Sequence, residues 1–289
     1  MSGRVVFVTG SSTGIGEATA LYFARLGDTV YATMRTPDRS GDELHVADQL
    51  EELDVTLLAL DVDDDHSVAR AVGAAMERSG HIDVLVNNAG IGSLTSIEEV
   101  SMEDAKAIFE TNVFGALRTT QAVLPSIRGG GAIVNVTSIS GHLVGGGHGI
   151  YSSSKYALEA MSEALAIEIR RYGIRVIIIE PDFIVTPILD KAKPLEADGP
   201  YIEVLGRMRA VYTHARGSPA ERGRRGHRAR AGRLGAEATL RGRGGCRPDP
   251  PLACGRGRRG VDRARRRADG RGIPAVASES LPVPGVGGR

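Results

Sequence analysis

The chain reads as a doubly wound α/β protein with a parallel sheet. Three observations predict this. Short strands that are apolar nearly throughout alternate with amphipathic helices, as a sheet covered on both faces requires. A glycine-rich turn joins the first strand to the first helix. The polar clusters "TGSSTGIG", "LDVDD", "NNAG", "VTSIS" and "EPDFIVT" all fall where strands end, and ligands in such sheets sit at the strand carboxyl ends.

The elements follow in order. "RVVFVTG" is a β-branched run entering the glycine turn, and "EATALYFARLG" is a helix closed by Gly27. "DTVYATMR" and "VTLLALDV" are the second and third strands. In "HSVARAVGAAMERSG", Val68, Ala71, Val72, Ala75 and Met76 recur on one helical face. "IDVLVNNAG" is the fourth strand, and one long helix is predicted from Met102 to Ile127. "GAIVNVTS" is the fifth strand, a helix runs from about Tyr151 to Tyr172, and "IRVIIIEP" is the sixth strand. Right-handed crossovers complete the winding.

Composition sets the outer limits. The 289 residues, 42% hydrophobic and 25% charged, suffice for one substantial core. No apolar run has the length of a membrane span, and no charged-then-apolar leader opens the chain. The formal charge of +1 hides an asymmetry: residues 217–289 carry 18 Arg against 6 acids, and the preceding 216 carry 18 basic residues against 29 acids. Both cysteines, Cys246 and Cys254, lie in the basic part. The cysteine-free remainder suits a reducing, cytoplasmic setting.

Two features carry chemistry. Gly10, Ser12, Gly14, Ile15 and Gly16 form the turn, where missing side chains and free helix N–H groups let a pyrophosphate approach. Their spacing differs from G-x-G-x-x-G. Tyr151 and Lys155 stand four apart on one helix, so phenol and ammonium project together, and a positive charge favours the phenolate. Taken alone, the pair is better read as part of a solvated helix face.

"TGSSTGIG", "NNAG", Ser138 thirteen residues before Tyr151, and Y-x-x-x-K, in that order, resemble the short-chain dehydrogenase/reductase family in its single-domain form. The resemblance covers about residues 4–190, and "VYATMR" with the glycine loop is similar to its hydroxysteroid and retinol dehydrogenase branches. It implies hydride transfer between a nicotinamide cofactor and the carbonyl or alcohol of a small, lipophilic substrate. Tyr151 would be the general acid or base. Lys155 would lower the phenol's pKa and hold the nicotinamide ribose. Ser138 would hold the substrate oxygen, and Asn112 in "ETNVFG" a relay water. Asn88 and Gly90 would line the adenosine ribose pocket, Asp61 and Val62 would meet the adenine, and Thr186 the nicotinamide carboxamide. Asp61 equally suits a helix-start acid. A homo-oligomer is implied, with no nucleic-acid partner.

Arg35 bears on cofactor choice. NAD-preferring folds place an acid after the second strand, whereas here Met34 precedes Arg35. An arginine can grip a 2′-phosphate, which favours NADP(H) over NAD(H). His142 and His148 invite a metal reading, but no acid or Cys accompanies them at ligand spacing, so none is expected and the segment reads as a substrate-facing loop.

Two departures stand against the family pattern. Asp182 follows Pro181 where glycine is usual, placing a carboxylate near the nicotinamide half. Residues 217–289, rich in Arg, Gly, Ala and Pro without an aromatic, replace the segment that should supply a seventh strand. The expected organisation is therefore a dinucleotide-binding and catalytic domain over residues 1–216 and a low-order tail. A shifted reading frame is the favoured origin of the tail, against an RNA-binding appendage or a plain disordered extension. The rival reading is a non-catalytic dinucleotide-binding protein, inactive through that loss, with the tail either inert or contacting nucleic acid.

Overall fold

The computed structural model describes residues 3–37, 53–127, 129–182, 188 and 199–217. All belong to the first of two compact units, Met1–Arg243; the second, Gly244–Arg289, lies outside the described residues. Among the described residues, six strands form one parallel sheet: β1 (Val5–Val8), β2 (Thr29–Met34), β3 (Val55–Ala59), β4 (Val84–Asn87), β5 (Gly131–Val136) and β6 (Ile174–Ile179). Their spatial order is β3-β2-β1-β4-β5-β6. Helices α1 (Gly14–Arg25), α2 (Asp65–Ser79), α3 (Met102–Phe109), α4 (Gly115–Ile127), α5 (Gly149–Ile169) and α6 (Ile202–Gly217) accompany it. This is the doubly wound α/β architecture that the alternating pattern predicts.

The strand order reverses between β1 and β4, where a crevice opens at the carboxyl ends. Alternation along β1 feeds two cores. Val5 and Phe7 pack with Val68, Val72, Val123 and Ile127 of α2 and α4. Val6 and Val8 pack with Ala20 and Ala24 of α1. Both central strands are wholly buried, and each large apolar side chain so buried contributes about 1.5–3 kcal/mol. Edge strands β3 and β6 are mostly half-buried.

A buried polar ladder ties the layers behind the crevice. Asn87 Nδ2 donates to Asn135 Oδ1 at 2.9 Å, and Asn135 Nδ2 donates to Ser162 Oγ at 2.7 Å. Thr119 Oγ1 donates to Asn87 Oδ1 at 2.6 Å. These bonds fix β4 and β5 against α4 and α5, and a satisfied buried network specifies a single arrangement.

Two boundaries differ from expectation. Helix α1 begins inside the glycine turn, at Gly14. The stretch Met102–Ile127 is not one regular helix: a π-turn, Glu110–Phe114, separates α3 from α4. At that turn α4 passes so close to Val62 that a Cβ on Gly115 would lie 2.7 Å from its Cγ2. Residues 218–289, and with them the expected tail, lie outside the described residues; α6 runs to Gly217.

Candidate active site

The crevice is bounded at one end by the turn after β1. Gly10 has φ +68°, and a Cβ there would lie 2.8 Å from Ala89 Cα. A Cβ on Gly16 would lie 2.2 Å from the Gly10 carbonyl oxygen and 2.4 Å from Asn88 Nδ2. Asn88 Nδ2 donates to the carbonyls of Thr9 and Gly10 at 3.0 and 2.9 Å, and the N–H groups of Asn88 and Ala89 both donate to Thr9 Oγ1 at 3.0 Å. The turn is thus pinned to the end of β4. Thr13, at the start of α1, makes no side-chain cap bond, so the helix presents its first N–H groups to the crevice, a favourable place for phosphate. An open backbone cradle beside an uncapped helix start fits a dinucleotide pyrophosphate.

Met34 and Arg35 line the same crevice at the end of β2, with Met34 buried and Arg35 exposed. Asp61 and Val62 line it beside β3. Asp61 does not cap α2: Asp64 does, accepting from the N–H groups of His66 and Ser67. The Asp61 N–H instead donates to Ser67 Oγ at 2.9 Å.

At the other end stand Ser138, Tyr151 and Lys155, on the loop after β5 and the first turns of α5. The Ser138 hydroxyl and the Tyr151 phenol face each other across the crevice. Lys155 is 4% exposed; its Nζ lies 5.8 Å from the Tyr151 ring centroid and donates to the Val136 carbonyl at 3.0 Å. Burial lowers the lysine to about 8, against a smaller opposing pull from Glu159. Burial also pushes the Tyr151 phenol above its ordinary value, with the Ser138 hydroxyl acting the other way. Sequence reasoning expects Lys155 to lower the phenol; here desolvation is the largest influence, and the ammonium is turned toward a backbone carbonyl. A protonated phenol beside a serine hydroxyl can give a proton to a carbonyl oxygen held between them.

Asn112 occupies the π-turn and is buried. Its Oδ1 accepts from the Ile91 N–H at 2.8 Å, while Nδ2 donates to the Ile91 carbonyl and to Ser154 Oγ, both at 3.0 Å. The side chain therefore anchors the loop after β4 to α5, one residue from Lys155. π-turns occur often at functional sites. A Cβ on Gly90 would lie 3.2 Å from Asn112 Oδ1 and 3.7 Å from Lys155 Nζ, so the loop runs directly over the lysine.

Of the residues expected from sequence, Gly10, Ser12, Gly14, Ile15, Arg35, Asp61, Val62, Asn88, Gly90, Ser138, Tyr151 and Lys155 line one crevice. Gly16 and Asn112 lie behind it as supports. Thr186 lies outside the described residues. Asp182 and Pro181 line the crevice beside Ser138. Sequence reasoning missed Thr9 and Ser154, small hydroxyls whose only signal is their place beside the motifs. Of the two histidines in the loop read as substrate-facing, His148 lines the crevice. His148 is 3% exposed and packs edge-on to the Tyr151 ring at 6.0 Å between centroids. His142 does have acids beside it, Glu159 and Glu180, brought from separate elements.

Comparison with known proteins agrees with this geometry. The short chain dehydrogenase family model matches residues 4–197. The chain is similar to the uncharacterized oxidoreductase YusZ of Bacillus subtilis, 42% identical over 63% of this chain and 65% of YusZ, just under two thirds of that relative's length. It is similar to the 3-ketodihydrosphingosine reductase of Bacteroides thetaiotaomicron, 34% identical over 69% of this chain and 71% of the relative. It is likewise 34% identical to retinol dehydrogenase 8 of Bos taurus, over 73% of this chain and 70% of the relative. Among solved structures, a short-chain dehydrogenase from Streptomyces avermitilis superposes with a TM-score of 0.67 at 37% identity, covering 74% of this chain and 78% of its own. A family member from Burkholderia phymatum in complex with NAD gives 0.67 at 26% identity, covering 75% and 80%. A gluconate 5-dehydrogenase from Burkholderia cenocepacia in complex with NADP and tartrate gives 0.61 at 27% identity, covering 65% and 74%. By motif order, sheet topology and these matches, the chain belongs to the short chain dehydrogenase family.

Proposed function

We propose that this protein is an oxidoreductase that transfers a hydride between NADP(H) and the carbonyl or alcohol of a small, lipophilic substrate. The observation that carries the reading is the joining, in one crevice, of the Ser138 and Tyr151 hydroxyls, the buried Lys155 and the glycine turn. The bound nicotinamide would supply or accept the hydride. Tyr151 donates a proton to the carbonyl oxygen in reduction and removes it in oxidation. Ser138 Oγ holds that oxygen and steadies its developing charge. Lys155 holds the nicotinamide ribose and, when protonated, favours the phenolate. Asn112 holds the loop that covers Lys155 and belongs to the proton relay, and Asn88 and Gly90 shape the ribose pocket.

NADP(H) is favoured by Arg35 at the rim of the crevice and by Met34 where an acid would repel a 2′-phosphate. The lipophilic substrate class is supported by two relatives whose names specify ketodihydrosphingosine and retinol. The same reading makes the chain a homo-oligomer: Phe114 at the π-turn and Ile167 on α5 are 47% and 78% exposed, and two-fold dimers are the commonest soluble assembly.

The test is consumption of NADPH and of NADH with long-chain ketones and aldehydes, using the full chain. Faster turnover with NADPH, reversed by Arg35→Asp, supports the reading. Equal or better turnover with NADH overturns the cofactor preference, and dinucleotide binding without turnover on any carbonyl favours the non-catalytic alternative.

A further inference from the structure

We propose that His142, Glu159 and Glu180 form a binding site for a divalent cation of the zinc class, one turn beyond Lys155 on the Tyr151–Lys155 face of α5. The three residues come from the loop after β5, from α5 and from the end of β6. Their ligand atoms all lie within 4.8 Å of one another. His142 Nε2 is 3.1 Å from Glu180 Oε1 and 3.8 Å from Glu159 Oε1. Metal–nitrogen and metal–oxygen bonds of about 2.0–2.2 Å, at tetrahedral angles, set neighbouring ligand atoms roughly 3.4 Å apart. The two separations straddle that value, so small side-chain rotations close the cluster on an ion.

A second observation points to a ligand. Glu159 is 6% exposed, and its Oε1, directed at His142, has no hydrogen-bond partner. A buried carboxylate oxygen left without a donor is costly, and a cation at this point would satisfy it. The nearby Thr137 hydroxyl donates instead to the Ile179 carbonyl at 2.9 Å. The backbone confines the carboxylate as well: a Cβ on Gly141 would lie 3.0 Å from Glu159 Cγ and 3.3 Å from Oε1.

His142 is also positioned. Its carbonyl accepts from the Tyr156 hydroxyl at 2.5 Å, its N–H donates to the Ile139 carbonyl at 3.0 Å, and its ring meets Tyr156 edge-on at 6.2 Å. Such outer contacts orient metal ligands. The His142 and Glu180 side chains are 47% and 43% exposed, which leaves a path for the ion and a position for water. One imidazole with two carboxylates suits zinc, manganese, cobalt or nickel; magnesium prefers six oxygens, several of them water.

The experiment is calorimetric titration of the full chain with Zn²⁺ alone, in a non-chelating buffer, for the parent protein, Glu159→Gln and His142→Ala. Saturable one-to-one binding that weakens at least about tenfold in both variants is expected, with no binding heat from Mg²⁺. Parent-like zinc affinity in the variants would place the ion elsewhere, and absence of zinc binding by the parent would mean that Glu159 is served by a proton; either overturns the proposal. Melting curves without metal establish that each variant folds. If Glu159→Gln does not, His142→Ala at its half-exposed position decides the matter. No turnover is read, so the outcome is separate from that of the proposed function.

Discussion

Replacing Lys155 with methionine should stabilise the protein while removing its activity. The lysine is buried, and burial takes it from an ordinary 10.5 to about 8. That fall corresponds to roughly 3 kcal/mol of destabilisation at neutral pH, at about 1.4 kcal/mol for each tenfold change in proton affinity. Methionine matches the lysine stem in length and carries no charge to desolvate, but it forfeits the Nζ bond to the Val136 carbonyl, worth about 1 kcal/mol. The net expectation is a gain of about 2 kcal/mol at pH 7. The pH dependence follows from the same shift. As pH falls from 10.5 to 8 the unfolded chain takes up a proton that the native lysine does not, so the parent loses stability over that window. The methionine variant lacks this contribution, so its advantage should shrink as pH rises and become a small deficit near 10.5, where the lost Val136 bond outweighs what remains of the charge penalty. Urea unfolding of the full chain without added cofactor, from pH 7 to 10.5, measures both quantities. A variant no more stable than the parent at pH 7, or a gap that stays constant with pH, would refute the reasoning.

Other perturbations test the supports of the site. Asn112→Leu leaves the Ile91 N–H and carbonyl without their side-chain partners and should cost about 2–4 kcal/mol; an unchanged urea midpoint would contradict the anchoring role. Asp182→Gly removes a carboxylate from the crevice and should tighten dinucleotide binding several-fold in a fluorescence titration, most at low salt; weaker or equal binding would show that the carboxylate does not repel the cofactor. Sedimentation of the folded parent at micromolar concentration should reveal a dimer or larger species, and a persistent monomer would count against self-association.

The central strands were legible because both faces of a parallel sheet are covered, which makes runs such as Val5–Val8 and Val84–Asn87 apolar almost throughout. The crevice was legible because glycines and polar residues at strand ends have few structural reasons to cluster. The π-turn was not, since apolar periodicity over Met102–Ile127 hardly distinguishes five-residue from four-residue bonding. Its one trace is Asn112, a polar side chain at a buried position. The cap of α2 falls on Asp64 rather than Asp61, and among the four aspartates Asp61, Asp63, Asp64 and Asp65 only geometry selects the capping carboxylate. His142, Glu159 and Glu180 could not be grouped from sequence, because three elements bring them together and no local spacing records the encounter.

The central claim is that the Tyr151 hydroxyl carries the proton. Its most direct test is Tyr151→Phe, measured for both dinucleotide affinity and carbonyl reduction. The phenyl ring keeps the packing against His148, so cofactor affinity should stay within about twofold of the parent, whereas turnover should fall by about 10²–10⁴, the range expected for a lost general acid. Turnover at the parent rate with unaltered affinity would contradict the account.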